Sequence, residues 1–313
     1  RGWSAYEARW QHKDLKLQLR EYPQPRWTGE QSLQGQHILV YAEQGLGDTI
    51  QFARFLPRLV ELGATVSFEV QPALKQLLTR CLPQVRVFGA GETPPAFDLH
   101  IPLLSLPGVL RCDESTIPFA DTYLVASEMK CTAWSQRLGN KVRPRIGLTW
   151  SGNPLHQNDR NRSMQLKELI QRLPDGFDYI CLQNQIRDHD LDTLLSSKRV
   201  QVFTADLQDF EDTAALCQLM DLVITVDTSV AHLSAALGRP TWTLISHSPD
   251  WRWMKTRTDT PWYGSMRLIR QTVPGSWQGE LKTMAAELER FLPRGATSAE
   301  LRHEQAMAIS LAA

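Results

Sequence analysis

Apolar and polar positions alternate along this chain in blocks, and the blocks read as strand, turn, helix, strand. The clearest block is residues 220–240. Residues 222–226 (Leu-Val-Ile-Thr-Val) form a short β-branched run, the pattern of a strand buried on both faces. Asp227, Thr228 and Ser229 are helix-starting residue types. Residues 231–237 are apolar and Ala-rich, as a buried helix would be, and Gly238 and Pro240 stop it before a further strand at 241–245. This is a β-α-β unit with a polar turn at the carboxyl end of its first strand, the edge at which open parallel sheets bind ligands. The free N–H groups and positive dipole end of the following helix favour an anion. Two readings stay open. Asp227 or Thr228 caps the helix and His232 fills a gap against the sheet, or Ser229 and His232 face a bound phosphate.

The same alternation recurs upstream. Residues 37–42 predict a first strand, 43–49 a glycine-rich turn and 49–62 a helix. Gly45 and Gly47 allow a tight turn and close approach to a ligand. The dinucleotide fingerprint is not met, because Ile50 stands where a third glycine belongs. Asp48 is a helix cap or a functional acid. Strands follow at 65–70, 85–88 and 97–101, with a helix at 72–80 and a Pro- and Leu-rich loop at 103–119. A charged helix at 127–138 lies in a hinge, and 145–150 begins a second α/β set. The loop at 151–163 is rich in donors. Arg160, Arg162 and Ser163, with Asn153 in the same loop, are either a solvated surface or, for the two arginines, a diphosphate clamp, for which guanidinium groups are well shaped. A helix at 165–173, strands at 178–182, 200–203 and 266–270, and helices from 209 and over 277–292 complete the pattern.

Composition changes this picture little. The 313 residues suit two domains, and 42% hydrophobic with 22% charged residues is ordinary for a globular chain with a real core. A formal net charge of +0 suggests neither a nucleic-acid footprint nor an acidic tail. Cys81, Cys112, Cys131, Cys181 and Cys217 are scattered and odd in number, which argues against a disulfide framework or zinc site and fits a reducing compartment. No apolar run approaches membrane-spanning length, and no signal peptide is visible, although a start at Arg1 suggests a fragment.

Candidate chemistry adds more. Gln183 closes a strand and suits a base or ribose contact. Asp212 sits in the first turn of a helix and is either a plain first-turn acid or a ribose ligand. Asp188-His189-Asp190 has a D-x-D form, but residues two apart on a helix do not share a face, so a metal site is not expected. Asp250, Trp251 and Arg252 belong to an aromatic and basic loop suited to a sugar or acceptor, or pinned by buried tryptophans. Trp3, Tyr6 and Trp10 recur at helical spacing.

Three stretches carry a family resemblance. Asp-Thr-Ser-x-x-His-Leu-x-x-Ala-x-Gly-x-Pro from Asp227 to Pro240 resembles the C-terminal signature of glycosyltransferase family 9, the bacterial heptosyltransferases. Gly45-x-Gly47-Asp48, followed by a helix and Pro57, resembles the N-terminal signature of the same enzymes. The Trp-x-Gly-Asn-Pro and Asp-Arg-x-Arg-Ser stretches at 150–163 look like the loop of the family's branch linked to tetratricopeptide repeats, a departure from the classical heptosyltransferases, which more often offer a lysine in this loop. The resemblance covers about residues 36–292. It implies a GT-B fold, two Rossmann-like doubly wound α/β domains across a cleft. Residues 1–35 are then an N-terminal helix, the possible end of a helical repeat array, with a linker. Residues 36–125 form the acceptor-side domain, 126–144 the hinge, 145–292 the nucleotide-sugar domain and 293–313 a returning helix or tail. Further implications are a metal-independent inverting transfer without cofactor, Asp48 as catalytic base, and donor phosphates at Gly47, Arg160, Arg162, Ser163, Thr228, Ser229 and His232. Nucleotide or acceptor contacts fall to Asn153, Gln183, Asp212, Asp227, Asp250, Trp251 and Arg252. The partners implied are a nucleotide-sugar donor and a protein or lipopolysaccharide-type acceptor. The rival readings are an epimerase or hydrolase on the same scaffold, or a non-catalytic binding module.

Overall fold

The β-branched runs pair into two parallel sheets, as strands buried on both faces require. The structure, a computed structural model, describes residues 2–11, 17 and 19–291. The returning helix expected at 301–311 lies outside these residues. The first sheet comprises β1 (His37–Tyr41), β2 (Thr65–Val70), β3 (Val85–Gly89) and β4 (Leu99–Pro102), in the order β3-β2-β1-β4. The second comprises β5 (Arg145–Thr149), β6 (Asp178–Cys181), β7 (Val200–Gln201), β8 (Leu222–Val226), β9 (Thr241–Ile245) and β10 (Met266–Arg270), in the order β10-β9-β8-β5-β6-β7. Every pairing in both is parallel.

Strand order reverses between β1 and β4 in the first sheet and between β5 and β8 in the second. Those two switch points are where an open α/β sheet binds ligands. The pairing Leu148↔Ile224 and Thr149↔Thr225 brings the loop after β5 beside the turn after β8.

The helices are α1 (Gly2–Tyr6), α2 (Leu46–Phe52), α3 (Leu56–Glu61), α4 (Lys75–Cys81), α5 (Leu106–Val109), α6 (Glu128–Leu138), α7 (Asp159–Arg162), α8 (Leu166–Ile170), α9 (Asp188–Ser197), α10 (Phe210–Gln218), α11 (Ser229–Ala236) and α12 (Gln278–Leu288). The single helix expected at 49–62 is instead α2, a 3-10 turn at Ala53–Phe55 and α3, with Pro57 in the first turn of α3. Proline is tolerated there because its missing N–H has no partner within the helix. The loop expected at 103–119 contains a 3-10 turn at Leu103–Ser105 and α5, because Leu103, Leu104 and Leu106 are buried in the core. The run of Trp3, Tyr6 and Trp10 does not stay on one helix face, since α1 gives way to a 3-10 turn at Glu7–Gln11.

The larger core cluster runs without interruption from Ile38, Phe52 and Leu56 of the first half to Leu216, Val230 and Leu233 of the second. A second cluster, including Ile146, Trp150, Trp242 and Leu281, packs the other face of the second sheet. Between the halves, Arg80 of α4 pairs with Glu211 of α10 at 2.8 Å. The backbone N–H groups of Tyr123 and Leu124 donate to the Ala236 carbonyl, each at 3.1 Å.

Candidate active site

The turn after β1 closes on its own backbone. Asp48, in the first turn of α2, accepts the Gly45 N–H through Oδ2 at 2.9 Å. Its other oxygen, Oδ1, accepts from Arg252 Nη2 at 2.6 Å. Arg252 belongs to a 3-10 turn, Trp251–Trp253, after β9. Asp250 caps that turn by accepting the Arg252 N–H at 3.1 Å and also lies 3.2 Å from Arg252 Nε. Burial disfavours the Arg252 cation, but the carboxylates of Asp250, Asp48 and Asp227 more than offset this and raise its pKa. One guanidinium from the second half therefore holds the proposed base of the first.

The turn after β8 is built differently. Thr228 is the N-cap of α11, and its side chain bonds none of the helix N–H groups. Its hydroxyl lies 3.4 Å from that of Thr225. The Ala231 N–H turns back to the Thr228 carbonyl at 3.1 Å, and the N–H groups of Ser229 and Val230 keep their capacity for an external acceptor. Arg162, at the end of α7, donates from Nη1 to the Asp227 carbonyl at 2.8 Å and so stands at this helix end. Its guanidinium lies flat on Gly152, where a Cβ would sit 2.7 Å from Nη2. Desolvation raises the pKa of the half-buried Asp227 against the opposing charge of Arg252.

Around Arg162, Ser163 Oγ accepts the Gly152 N–H at 3.0 Å and donates to Asp159 at 2.8 Å. Arg187 completes this cluster, donating to Asp159 at 2.6 Å and to the Gly152 carbonyl at 2.9 Å. Arg160 is exposed, so the two arginines expected to clamp together part ways. Asn153 is also exposed and accepts the Leu155 N–H at 3.0 Å, a local turn. His156 joins the group electrostatically. Desolvation and Arg162 lower its pKa against the pull of Asp159, Asp48 and Asp250.

The two turns meet. A Cβ on Gly47 would lie 2.7 Å from His232 Cδ2 and 3.4 Å from the Ser229 Cα. Gly47 therefore lets α2 and α11 touch, rather than giving the backbone access to a ligand. His232 is buried, shares a 2.9 Å hydrogen bond with Tyr263 and stacks on Trp253 at a centroid separation of 5.3 Å. Burial, then Arg252, Arg54 and Arg162, push its pKa well below the usual value, so the imidazole is neutral. Arg54 locks the same joint, donating to the Trp262 carbonyl at 2.6 Å and to Tyr123 Oη at 3.2 Å.

Two expected ligand contacts are occupied inside the fold. Gln183 is buried and accepts the Trp150 and Ser151 N–H groups at 2.7 and 2.9 Å, tying strand ends together. Asp212 is buried against α6, where it accepts from Lys130 at 2.8 Å and Trp134 Nε1 at 3.1 Å. A buried polar group needs such partners, and these satisfy both side chains away from the cleft. Asp190 likewise accepts the Leu166 N–H and Trp150 Nε1, at 2.9 and 2.8 Å, while Asp188 is exposed. Among the described residues, no three His, Cys, Asp or Glu side chains converge as a metal site would need, and no helix is long and apolar enough to cross a membrane.

Sequence reasoning noted Trp3 and Tyr6 by their spacing only, without a place at the site, and missed Glu43. Trp3 of α1 stands edge-on to Trp251 at 5.4 Å and to Phe52 at 6.3 Å, bridging both halves. Tyr6 accepts from Gln44 at 3.1 Å, and burial with the Asp48 charge pushes its pKa up to about 12. Glu43 is buried beside Arg9 at 3.0 Å, and burial pushes its carboxyl up to about 7 despite that arginine. The available signal was the spacing of Trp3 and Tyr6 and the charged Glu7 and Arg9 of the 3-10 turn that follows them.

Residues 194–274 match the model of glycosyltransferase family 9 (heptosyltransferase). The chain is 29% identical to Protein FlbA of Caulobacter vibrioides over 317 residues, covering 93% of this chain and 52% of that protein. It thus spans about half the length of this curated relative. Among solved structures, it resembles a family 9 glycosyltransferase from Veillonella parvula with a TM-score of 0.58 at 12% identity, over 91% of this chain and 100% of that one. It also resembles the iron-containing dodecameric glycosyltransferase TibC from enterotoxigenic E. coli, with a TM-score of 0.55 at 12% identity, over 80% and 67% of the chains. E. coli heptosyltransferase WaaC, solved with ADP-2-deoxy-2-fluoro heptose, gives a TM-score of 0.50 at 12% identity, over 83% and 100%. With its two parallel-sheet halves, the fold is GT-B.

Proposed function

We propose that this chain is a metal-independent inverting glycosyltransferase that moves a sugar from a nucleotide-activated donor to a hydroxyl on a protein or lipopolysaccharide-type glycan. One observation carries the reading. The carboxylate of Asp48 and the uncapped N-terminus of α11 project from the switch points of two sheets and are brought together by the Gly47–Ser229 contact. The family match over residues 194–274 supports it, since that stretch includes the whole α11 turn.

In this reading the donor diphosphate lies at Thr228 and Ser229, with Arg162 and Arg252 beside it. These charges are already in place and stabilise the departing phosphate as its negative charge grows. The acceptor oxygen attacks the anomeric carbon. The bond from that carbon to the phosphate oxygen breaks, and the nucleoside diphosphate leaves with the electron pair. The acceptor proton passes to Asp48. Arg252 holds the carboxylate in position, and its second role is to remain cationic next to the leaving group. Gln183 and Asp212 have no part. Five unpaired thiols fit the cytoplasm as the place of reaction.

The test is release of the nucleotide (a nucleoside diphosphate from ADP-, GDP-, UDP- and dTDP-sugars, CMP from CMP-sugars), with and without peptide and oligosaccharide acceptors. Acceptor-dependent release lost in Asp48→Asn supports the proposal. Equal release without acceptor indicates a hydrolase, and donor binding without release under any condition indicates a binding module.

A further inference from the structure

A cavity of about 140 Å³ lies beside the Asp48–Arg252 pair and belongs to neither turn. Trp3, Ile117, Trp251 and Trp262 form its apolar walls, and Arg252 also lines it. It is far below the size of a nucleotide-sugar site, roughly 300–1,000 Å³. It is close to the roughly 150 Å³ of an engineered apolar cavity that takes one benzene ring. Its charged neighbours each hold a bond elsewhere. Asp113 accepts the N–H groups of Ser115 and Thr116 at 2.9 and 3.1 Å. Glu114 pairs with Arg257. Arg252 is held by Asp48 and Asp250.

The walls are almost wholly apolar, so a sugar set against them would leave hydroxyl groups facing carbon, at roughly 1–3 kcal/mol each. An aromatic or branched apolar side chain has no such cost. We propose that the cavity receives one apolar side chain of a polypeptide acceptor and so selects acceptors by sequence. This deepens the glycosyltransferase reading and rests on it. Arg252 both lines the cavity and binds Asp48 at 2.6 Å, so the side chain in the cavity and the hydroxyl at Asp48 are near neighbours. At ~3.3 Å per residue of extended chain, they belong to residues about two or three apart. Trp251 is 43% exposed, so part of this wall is within reach of an incoming chain.

The test compares acetyl-Phe-Gly-Ser-amide, acetyl-Gly-Gly-Ser-amide and maltose as ligands, by calorimetry or NMR titration. Burying a phenyl ring predicts about 10- to 100-fold tighter binding of the Phe peptide. Ile117→Trp, which fills the cavity, and Trp251→Ala, which removes a wall, should each cut that preference below about threefold. Unchanged thermal midpoints show that both variants fold. Equal binding of the two peptides, a preference that survives both variants, or tighter binding of maltose would overturn the inference. Donor-induced thermal shifts on the wild type are read separately. Their absence sinks the glycosyltransferase reading, whereas peptide discrimination would still mark a polypeptide-binding cavity.

Discussion

The turns after β1 and β8 are the same device made to opposite purposes. Each follows a buried parallel strand at a switch point and opens a helix. In the first, Asp48 caps its own turn through Gly45 and presents a carboxylate to Arg252. In the second, Thr228 leaves the helix N–H groups uncapped and Arg162 adds a cation. One turn presents negative charge and the other is shaped to receive it. On the proposed reading, acid-base work and leaving-group stabilisation are separated by how each helix is capped.

Breaking the negative side should have the largest effect. Asp48→Ala is expected to lower turnover by roughly 10²–10⁴-fold and to spare donor affinity, checked by steady-state rates beside a binding titration. A donor affinity that falls with the rate would assign Asp48 to binding. On the positive side, Arg162→Ala should weaken donor binding about 10- to 100-fold, since a hydrogen bond to a charged group contributes roughly 1.5–3 kcal/mol. Arg160→Ala, at an exposed position, should change it less than threefold. Similar losses in both would restore the two-arginine clamp.

Forcing the turns apart is the next test. Gly47→Ala places a methyl group 2.7 Å from His232 and should cost about 1–3 kcal/mol in urea unfolding. If stability is unchanged, the helices do not bear on each other as closely as described.

The smallest effect is in pH, and the two turns drift in opposite directions. His232 has a depressed pKa, so the unfolded chain takes up its proton first. Its contribution is present above about pH 6.5 and lost as pH falls below it. Glu43 is pushed up to about 7, so its contribution is present below the ordinary carboxylate range and lost as pH rises through about 7. His232→Asn should flatten the acid side of the stability profile by at most ~1.4 kcal/mol per pH unit, and Glu43→Gln the neutral side. Profiles parallel to the wild type would show that neither group changes protonation on folding.

Much of the architecture was legible because strand and helix periods differ so clearly. The run 222–226 and the Ala-rich stretch after it map onto β8 and α11 within a residue or two. The break in the helix after Phe52 was hidden, because Phe55 and Leu56 continue a helical apolar pattern through a 3-10 turn. At the site, residue type indicated polarity but not direction. Arg160 and Arg162 are two apart on a short helix and so face different ways, one to solvent and one to the β8 turn. Gln183 and Asp212 look like ligands in sequence, yet each is satisfied by partners more than 30 residues away. The Arg252–Asp48 pair joins residues 204 positions apart, and no local pattern could have coupled them.

The central claim is that donor phosphate binds at the β8 turn while the acid of the β1 turn, held by Arg252, serves the chemistry and not donor binding. Thermal unfolding of wild type, Arg162→Ala and Asp48→Ala with the five classes of nucleotide sugar tests it most directly. The account predicts that at least one sugar nucleotide stabilises wild type, by about 2.7 kcal/mol at 100 times its dissociation constant. Arg162→Ala should lose most of that shift and Asp48→Ala should keep it. A shift that vanishes in Asp48→Ala and persists in Arg162→Ala would reverse the assignment of the two turns, and no shift with any donor would contradict the account altogether.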